Sequence, residues 1–119
     1  ISNVPEFIKE ANDAVRKVIP HIRPVAYGHI GDGNVHYNVC PPLQYDNIKF
    51  KEKTEEIHKV VYDVAFKFGG SFAAEHGVGV VKKNEMIRYK SDTEINLMRL
   101  IKLSIDQNQI MNHGKLFDN

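Results

Sequence analysis

Apolar residues recur at helical spacing near the start of the chain: Phe7, Ile8, Ala11, Val15 and Val18 mark one face of an amphipathic helix over residues 4–19. Asn3 with Glu6 three residues on reads as its cap, Pro5 is tolerated in a first turn, and Pro20 ends it. The pattern then changes to extended segments over 22–30 and 34–40, joined through Gly31-Asp32-Gly33-Asn34. That run predicts a tight hairpin turn, because Gly and Asn tolerate the positive φ such turns need. With the turn at 31–34, Ile30 faces Val35, His29 faces His36, and Tyr27 faces Asn38. Side chains alternate along a strand, so Tyr27, His29, His36 and Asn38 share one face. Ala26, Ile30, Val35, Tyr37 and Val39 form the other, apolar face, suited to packing on helices.

Pro41-Pro42 stops the second strand. Asp46 caps a long helix over about 46–68, with Phe50, Ile57, Val60, Val61, Val64 and Phe68 along one stripe and Gly69-Gly70 as its terminator. Ser71-Phe72-Ala73-Ala74 reads as a short strand leading into Glu75-His76-Gly77-Val78-Gly79, where two glycines permit a sharp turn or close approach to a ligand. A short helix is expected after Asn84. Ser91-Asp92-Thr93-Glu94 is a capping box opening a helix to about residue 106. Its core stripe is Ile95, Met98, Ile101 and Ile105, widened by Leu97, Leu100 and Leu103, so it is either deeply buried or covered by a partner. The tail from Ile110 to Phe117 has no clear periodicity, and no internal repeat appears. The order α-β-β-α-β-α predicts an α+β fold, an antiparallel sheet with helices packed on one face, in the manner of a whole or partial ferredoxin-like domain.

Composition narrows the function classes. A chain of 119 residues, 42% hydrophobic and 26% charged, suits one soluble globular domain over 1–119. A net charge of +1 with dispersed basic residues gives nucleic acid no phosphate footprint, and Lys82-Lys83 is too short a cluster to supply one. No apolar run approaches a membrane span, and no signal-peptide pattern is evident in the opening residues. The single Cys40 excludes an intrachain disulfide and favours a reducing compartment. The expected location is the cytoplasm, or the mitochondrial matrix in a eukaryote, with peripheral membrane attachment compatible.

The chemistry concentrates around the histidine pair. Neutral imidazoles are the commonest metal ligands, and a hairpin holds two of them at a fixed separation. The competing reading is a pair that only hydrogen-bonds on a wet sheet face. Glu75, at the end of the next predicted strand, supplies a third ligand if that strand joins the sheet. Two histidines and a carboxylate with open positions suit catalytic zinc or non-haem iron(II). His76 then faces the neighbouring space as an acid or base, since imidazole changes charge near neutrality. Asn38 is placed to hydrogen-bond a polar ligand, and Tyr27 does likewise or simply packs. Cys40 is two pairs from the histidines and reads as a small buried hydrophobe, Asp32 as a turn former, and Lys82 and Lys83 as solvated.

Three stretches, G-H-I-G-D-G-N-V-H-Y-N from Gly28, G-G-S-F-A-A-E-H-G-V-G-V-V-K from Gly69 and I-M-N-H-G-K-L-F from Ile110, carry a further likeness. In that order they resemble the C-terminal domain of FAD-linked oxidases, flavoproteins that include D-lactate dehydrogenase, D-2-hydroxyglutarate dehydrogenase and the glycolate oxidase flavin subunit. The resemblance implies that His29, His36 and Glu75 match divalent-metal ligands, with zinc the expected ion, and that Asn38 and His76 match substrate-contacting residues. It implies that Asn112 and Lys115 lie near the flavin. The chain departs from many members at His113, where they have Pro, and at Gln107-Asn108-Gln109, where they carry Pro and Gly. The implied activity is oxidation of a D-2-hydroxy acid of lactate, glycolate or 2-hydroxyglutarate type, with His76 taking the hydroxyl proton and FAD the hydride. Nothing here resembles a flavin-pyrophosphate cradle and the chain opens on Ile1, so it is expected to be the C-terminal part of a larger enzyme, inactive alone. The expected partners are the substrate, the family's preceding FAD-binding domain, and a second copy of the chain. The alternatives are a stand-alone, non-catalytic metal- or small-acid-binding module and a non-redox flavoprotein relative such as an ether-lipid synthase.

Overall fold

The computed structural model describes residues 1–117. Contacts divide the chain into two compact units, one over Ile1–Phe72 and one from Ala73 onward. The first opens with helix α1, Val4–Val18, with Pro5 in its first turn. Asn3 precedes it with helical angles, φ −88° and ψ −4°, and its side chain makes no capping bond. The predicted cap is therefore not formed, because a capping side chain reaches back over the first turn only from an extended backbone. Asn3 Nδ2 instead donates to the Phe68 carbonyl at 3.5 Å.

Strands β1, Arg23–Tyr27, and β2, His36–Cys40, pair antiparallel, with Arg23 opposite Cys40 and Tyr27 opposite His36. Arg23 Nε donates to the Pro41 carbonyl at 3.0 Å and fastens the open end of the ladder. One face of this hairpin carries Tyr37 and Val39, which pack against a core of Val15, Ile19, Ile22, Ile57 and Val61. Burying each such side chain contributes about 1.5–3 kcal/mol, so helix periodicity converts directly into the docking of α1 on its partner helix. Tyr37 adds a specific link, its hydroxyl donating to Asn12 Oδ1 on α1 at 2.8 Å. Burial pushes the Tyr37 phenol up to about 12, against a smaller opposing effect of the Arg16 charge.

The long helix expected over 46–68 is two helices, α2 over Asn47–Glu52 and α3 over Thr54–Lys67. Asp46 caps α2 as expected, its carboxylate accepting from the Ile48 and Lys49 amides. The break has a local cause: the Phe50 carbonyl accepts from the Lys53 amide at 3.1 Å and from Thr54 Oγ1 at 3.4 Å. A threonine hydroxyl bonding back four residues competes with the helix ladder. At the far end Gly69, with φ +72°, turns the chain, while the Gly70 amide reaches the Ala65 carbonyl at 2.8 Å and the Gly69 amide the Phe66 carbonyl at 2.9 Å. This is the Schellman closure that the glycine pair predicts.

The second unit holds α4, Lys83–Tyr89, and α5, Asp92–Ile105. The capping box forms as read: Ser91 Oγ accepts from the Glu94 amide, and Glu94 accepts from the Ser91 amide at 2.9 Å. Those bonds, first the one from the Ser91 backbone, hold the Glu94 carboxyl down to about 2. The expected core stripe of α5 is only partly realised. Ile95 is buried, whereas Ile101 and Ile105 are exposed, as are Leu97, Leu100 and Leu103. Apolar residues almost all round a helix do not say which of them is covered, and here the inward position is the first one. Ser71–Ala74 forms no strand, so the sheet has two strands among the described residues. The class is α+β as expected, while two strands do not establish a ferredoxin-like sheet. No helix among the described residues is long and apolar enough to cross a membrane.

Candidate functional site

Gly28 ends the ladder. Its φ of +144° lies in a region that side chains avoid, and a Cβ there would lie 2.6 Å from the Asn34 carbonyl oxygen and 3.2 Å from the His36 amide nitrogen. The chain therefore leaves the sheet after Tyr27 and makes a wider loop. Within it a 3₁₀ turn spans Ile30–Asp32, and Gly33 continues in the left-handed region. The His29 carbonyl accepts from both the Asp32 and Asn34 amides, at 2.9 and 3.1 Å, which pins the loop.

This geometry corrects the expected register. His36 lies opposite Tyr27, and Asn38 opposite Val25, two residues away from the pairing a tight turn would impose. The turn at 31–34 is not formed because the close backbone passage at Gly28 stops pairing earlier. An even shift keeps the paired residues on their original faces, so Tyr27, His36 and Asn38 still share one side. Ile30, expected on the apolar face, leaves the sheet and is exposed. His29 reaches the same side from the loop. Its ring lies 6.5 Å from that of His36, at an interplanar angle of 64°.

Each of the two imidazoles offers a nitrogen within 4.8 Å of the other's. Two nitrogens sharing one zinc sit at most about 4.2 Å apart, twice the bond length, and about 3.4 Å apart in a tetrahedron. The 4.8 Å bound lies above that span, so sharing one ion requires the two imidazoles to turn toward each other, and their donor chemistry suits a divalent ion of the kind that imidazole favours. Tyr27 stacks on His36 with centroids 5.2 Å apart and planes 22° from parallel. Asn38 Nδ2 donates to the Tyr27 hydroxyl at 3.3 Å. Cys40 is half-buried at the other end of the strand, a position that suits packing.

Glu75 and His76 lie in the second unit, on exposed irregular chain rather than at a strand end. His76 Nε2 is 3.7 Å from Glu75 Oε2. Gly77 and Gly79, both with positive φ, follow immediately, so the backbone turns there as the glycine spacing predicts. In the tail Asn112 has φ +49°, and its carbonyl accepts from the Lys115 amide at 3.1 Å, which joins the two residues in one turn. A cavity of about 150 Å³ in this unit is lined by Arg99, Lys102, Gln109, His113 and Phe117 among others, with neither Asn112 nor Lys115 on its wall.

Two organising residues of the tail were not apparent in the sequence. Asp106 is buried after α5 and accepts from Lys102 Nζ at 2.6 Å, the Ile110 amide at 2.9 Å and the Met111 amide at 3.0 Å. The Lys102 contact, chiefly, holds its carboxyl below the usual range. The spacing of Lys102 and Asp106, four apart at a helix end, was the available signal. Lys83, expected in solvent, donates to the Gly114 carbonyl at 3.1 Å and ties the tail back to the start of α4.

Residues 1–116 match the family model described as FAD linked oxidases, C-terminal domain. The chain belongs to that family. It is 39% identical over 117 residues to the D-2-hydroxyglutarate dehydrogenase of Stutzerimonas stutzeri, covering 98% of this chain and 25% of the relative. A second D-2-hydroxyglutarate dehydrogenase, from Xanthomonas citri, is 38% identical over 118 residues, 99% of this chain and 25% of that protein. The D-lactate dehydrogenase of Archaeoglobus fulgidus is 33% identical over 115 residues, 97% of this chain and 24% of its own. The chain thus spans about a quarter of the length of these curated relatives. The likeness through the histidine loop, the Glu75-His76 segment and the tail is that of the FAD-linked oxidase C-terminal domain.

Proposed function

We propose that this chain is the metal- and substrate-binding part of an FAD-dependent oxidoreductase acting on a D-2-hydroxy acid. The observation that carries the reading is the His29–His36 pair, two imidazoles whose nitrogens lie within 4.8 Å of each other beside a hairpin whose opposite face is core, in an FAD-linked oxidase chain. Glu75 is the third ligand in this reading, because two histidines and one carboxylate are a ligand set that catalytic zinc takes and the motif carries Glu75 directly before His76. A divalent ion at these ligands, zinc in the first instance, would supply Lewis acidity toward the substrate's oxygen atoms.

The residues of this chain then divide the remaining work. Asn38 offers amide donors and a carbonyl acceptor to the polar head of the acid from the strand that carries His36. His76, next to Glu75 in the chain, receives the hydroxyl proton. Asn112 and Lys115, brought together by the tail turn, face the flavin held by the preceding FAD-binding domain. Hydride transfer itself belongs to that cofactor. Relatives named for D-2-hydroxyglutarate and D-lactate set the substrate range of the proposal. A reducing compartment, cytoplasm or mitochondrial matrix, goes with the single thiol of Cys40.

The test uses the intact flavoprotein under anaerobic conditions. D-2-hydroxyglutarate or D-lactate should bleach the flavin, His36→Ala should lose the metal and the bleaching, and His76→Ala should lose the bleaching while keeping FAD. Metal-free protein at full activity would end the ligand assignment. Full activity in His76→Ala would remove the proposed base.

A further inference from the structure

Tyr27 lies between the two functions assigned to β2. It closes the ladder opposite His36, its ring stacks on that imidazole at 5.2 Å and 22°, and its hydroxyl accepts from Asn38 Nδ2 at 3.3 Å. We propose that Tyr27 is the positioning residue of this site, its ring setting the plane of His36 and its hydroxyl setting the amide of Asn38. The proposal rests on the metal reading above and deepens it.

The physical need is specific to these side chains. The χ2 torsion of an imidazole is broad and roughly two-fold, so a histidine at the end of a two-stranded ladder has several ring orientations to choose from. Only those that aim a nitrogen at His29 can share an ion with it. A directly paired aromatic ring, with Cβ atoms about 4.5–5.5 Å apart, favours the near-parallel orientation seen here. His29 obtains its placement differently, from a backbone carbonyl fixed by two amides of its own loop. The hydroxyl contact acts on the neighbouring function. By accepting one Asn38 N–H, Oη decides which edge of that amide is left for a ligand: the carbonyl oxygen and the second N–H, an acceptor and a donor that suit a hydroxyl and a carboxylate. Tyr27 is 55% exposed, so its bulk is not spent on the core. Groups that orient a ligating histidine typically change metal affinity 10–100-fold when removed.

Tyr27→Phe and Tyr27→Leu in the intact flavoprotein separate the two roles. Zinc affinity is read by chelator competition, and the environment of the site by the visible spectrum of the cobalt-substituted protein. Tyr27→Leu should weaken zinc by about 10–100-fold and alter the cobalt spectrum, and Tyr27→Phe should restore both. Tyr27→Phe should raise KM for the hydroxy acid several-fold, and adding it to Asn38→Ala should have little further effect. Wild-type zinc affinity in Tyr27→Leu would overturn the role of the ring. Additive effects of Tyr27→Phe and Asn38→Ala would overturn the role of the hydroxyl, and this variant keeps the ring and so does not depend on how well the leucine form folds. Unchanged zinc binding in His36→Ala is a distinct result, which would overturn the metal reading itself.

Discussion

Replacing Gly28 with alanine acts at the point where the ladder ends and the histidine loop begins. The backbone there has φ +144°, and forcing an L side chain into so sparsely populated a region costs about 1–3 kcal/mol. The added Cβ would also meet the Asn34 oxygen at 2.6 Å, the His36 nitrogen at 3.2 Å and the Val35 Cα at 3.3 Å. All three are backbone atoms, so none can swing aside as the end of a flexible side chain would. Strain and clash together predict a loss of about 2–4 kcal/mol, read as a lower denaturant midpoint at unchanged slope. Because the obstructed strand carries His36, the same substitution should separate the imidazoles by more than the ~0.5 Å tolerance of a preorganised site. Zinc affinity should then fall at least about tenfold. Gly31→Ala is the matched control, since a Cβ at Gly31 meets nothing within 4 Å, and it should stay within about 0.5 kcal/mol of wild type. A Gly28→Ala protein with the wild-type midpoint and wild-type zinc affinity would refute the claim that this backbone passage sets the histidine pair.

Three further substitutions test local features of the two units. Tyr37→Phe removes the 2.8 Å bond to Asn12 and should cost about 0.5–1.5 kcal/mol in denaturant unfolding. The folded phenol titrates near 12 rather than 10, so its contribution is complete below pH 10 and disappears as pH rises from 10 to 12; Tyr37→Phe should flatten that alkaline decline. Ser91→Ala should cost about 1 kcal/mol through the lost cap. Glu94 is held near 2 against an ordinary 4.5, so its stabilisation is present above pH 4.5 and fades as pH falls toward 2, a dependence that Glu94→Gln should remove.

What could be read from sequence follows the range of the forces involved. The Ser91–Glu94 box and the Gly69-Gly70 closure depend on residues within one helical turn, and both form as read. The break between α2 and α3 is equally local, yet a stripe from Phe50 to Phe68 conceals it, because the rotamer that aims Thr54 Oγ1 at the Phe50 carbonyl leaves the apolar pattern unchanged. Ser71–Ala74 fails for the opposite reason. A strand is stabilised by partners elsewhere in the chain, and extended-type residues alone do not supply them. Burial on α5 has the same non-local character, which is why Ile95 is covered and Leu100 is not.

The hairpin shows how a pairing register can change while the residues on each face stay the same. Its register depends on one glycine dihedral and on two amides that converge on the His29 carbonyl, neither of which is visible in a string of letters. Its face assignment depends only on parity. Moving the pairing by two residues exchanges the partner of His36 from His29 to Tyr27, while His36 and Asn38 stay opposite the side that carries Tyr37 and Val39 to the core. A shift of one would have buried the imidazole and exposed Tyr37, at a cost of a buried polar ring and a lost core aromatic. The hydrophobic effect therefore selects among even shifts and excludes odd ones, and the loop backbone chooses within the even set. That division of labour is what lets the loop set the His29–His36 separation while the core holds the strand that carries His36, and it leaves Tyr27, not His29, as the direct neighbour across the ladder.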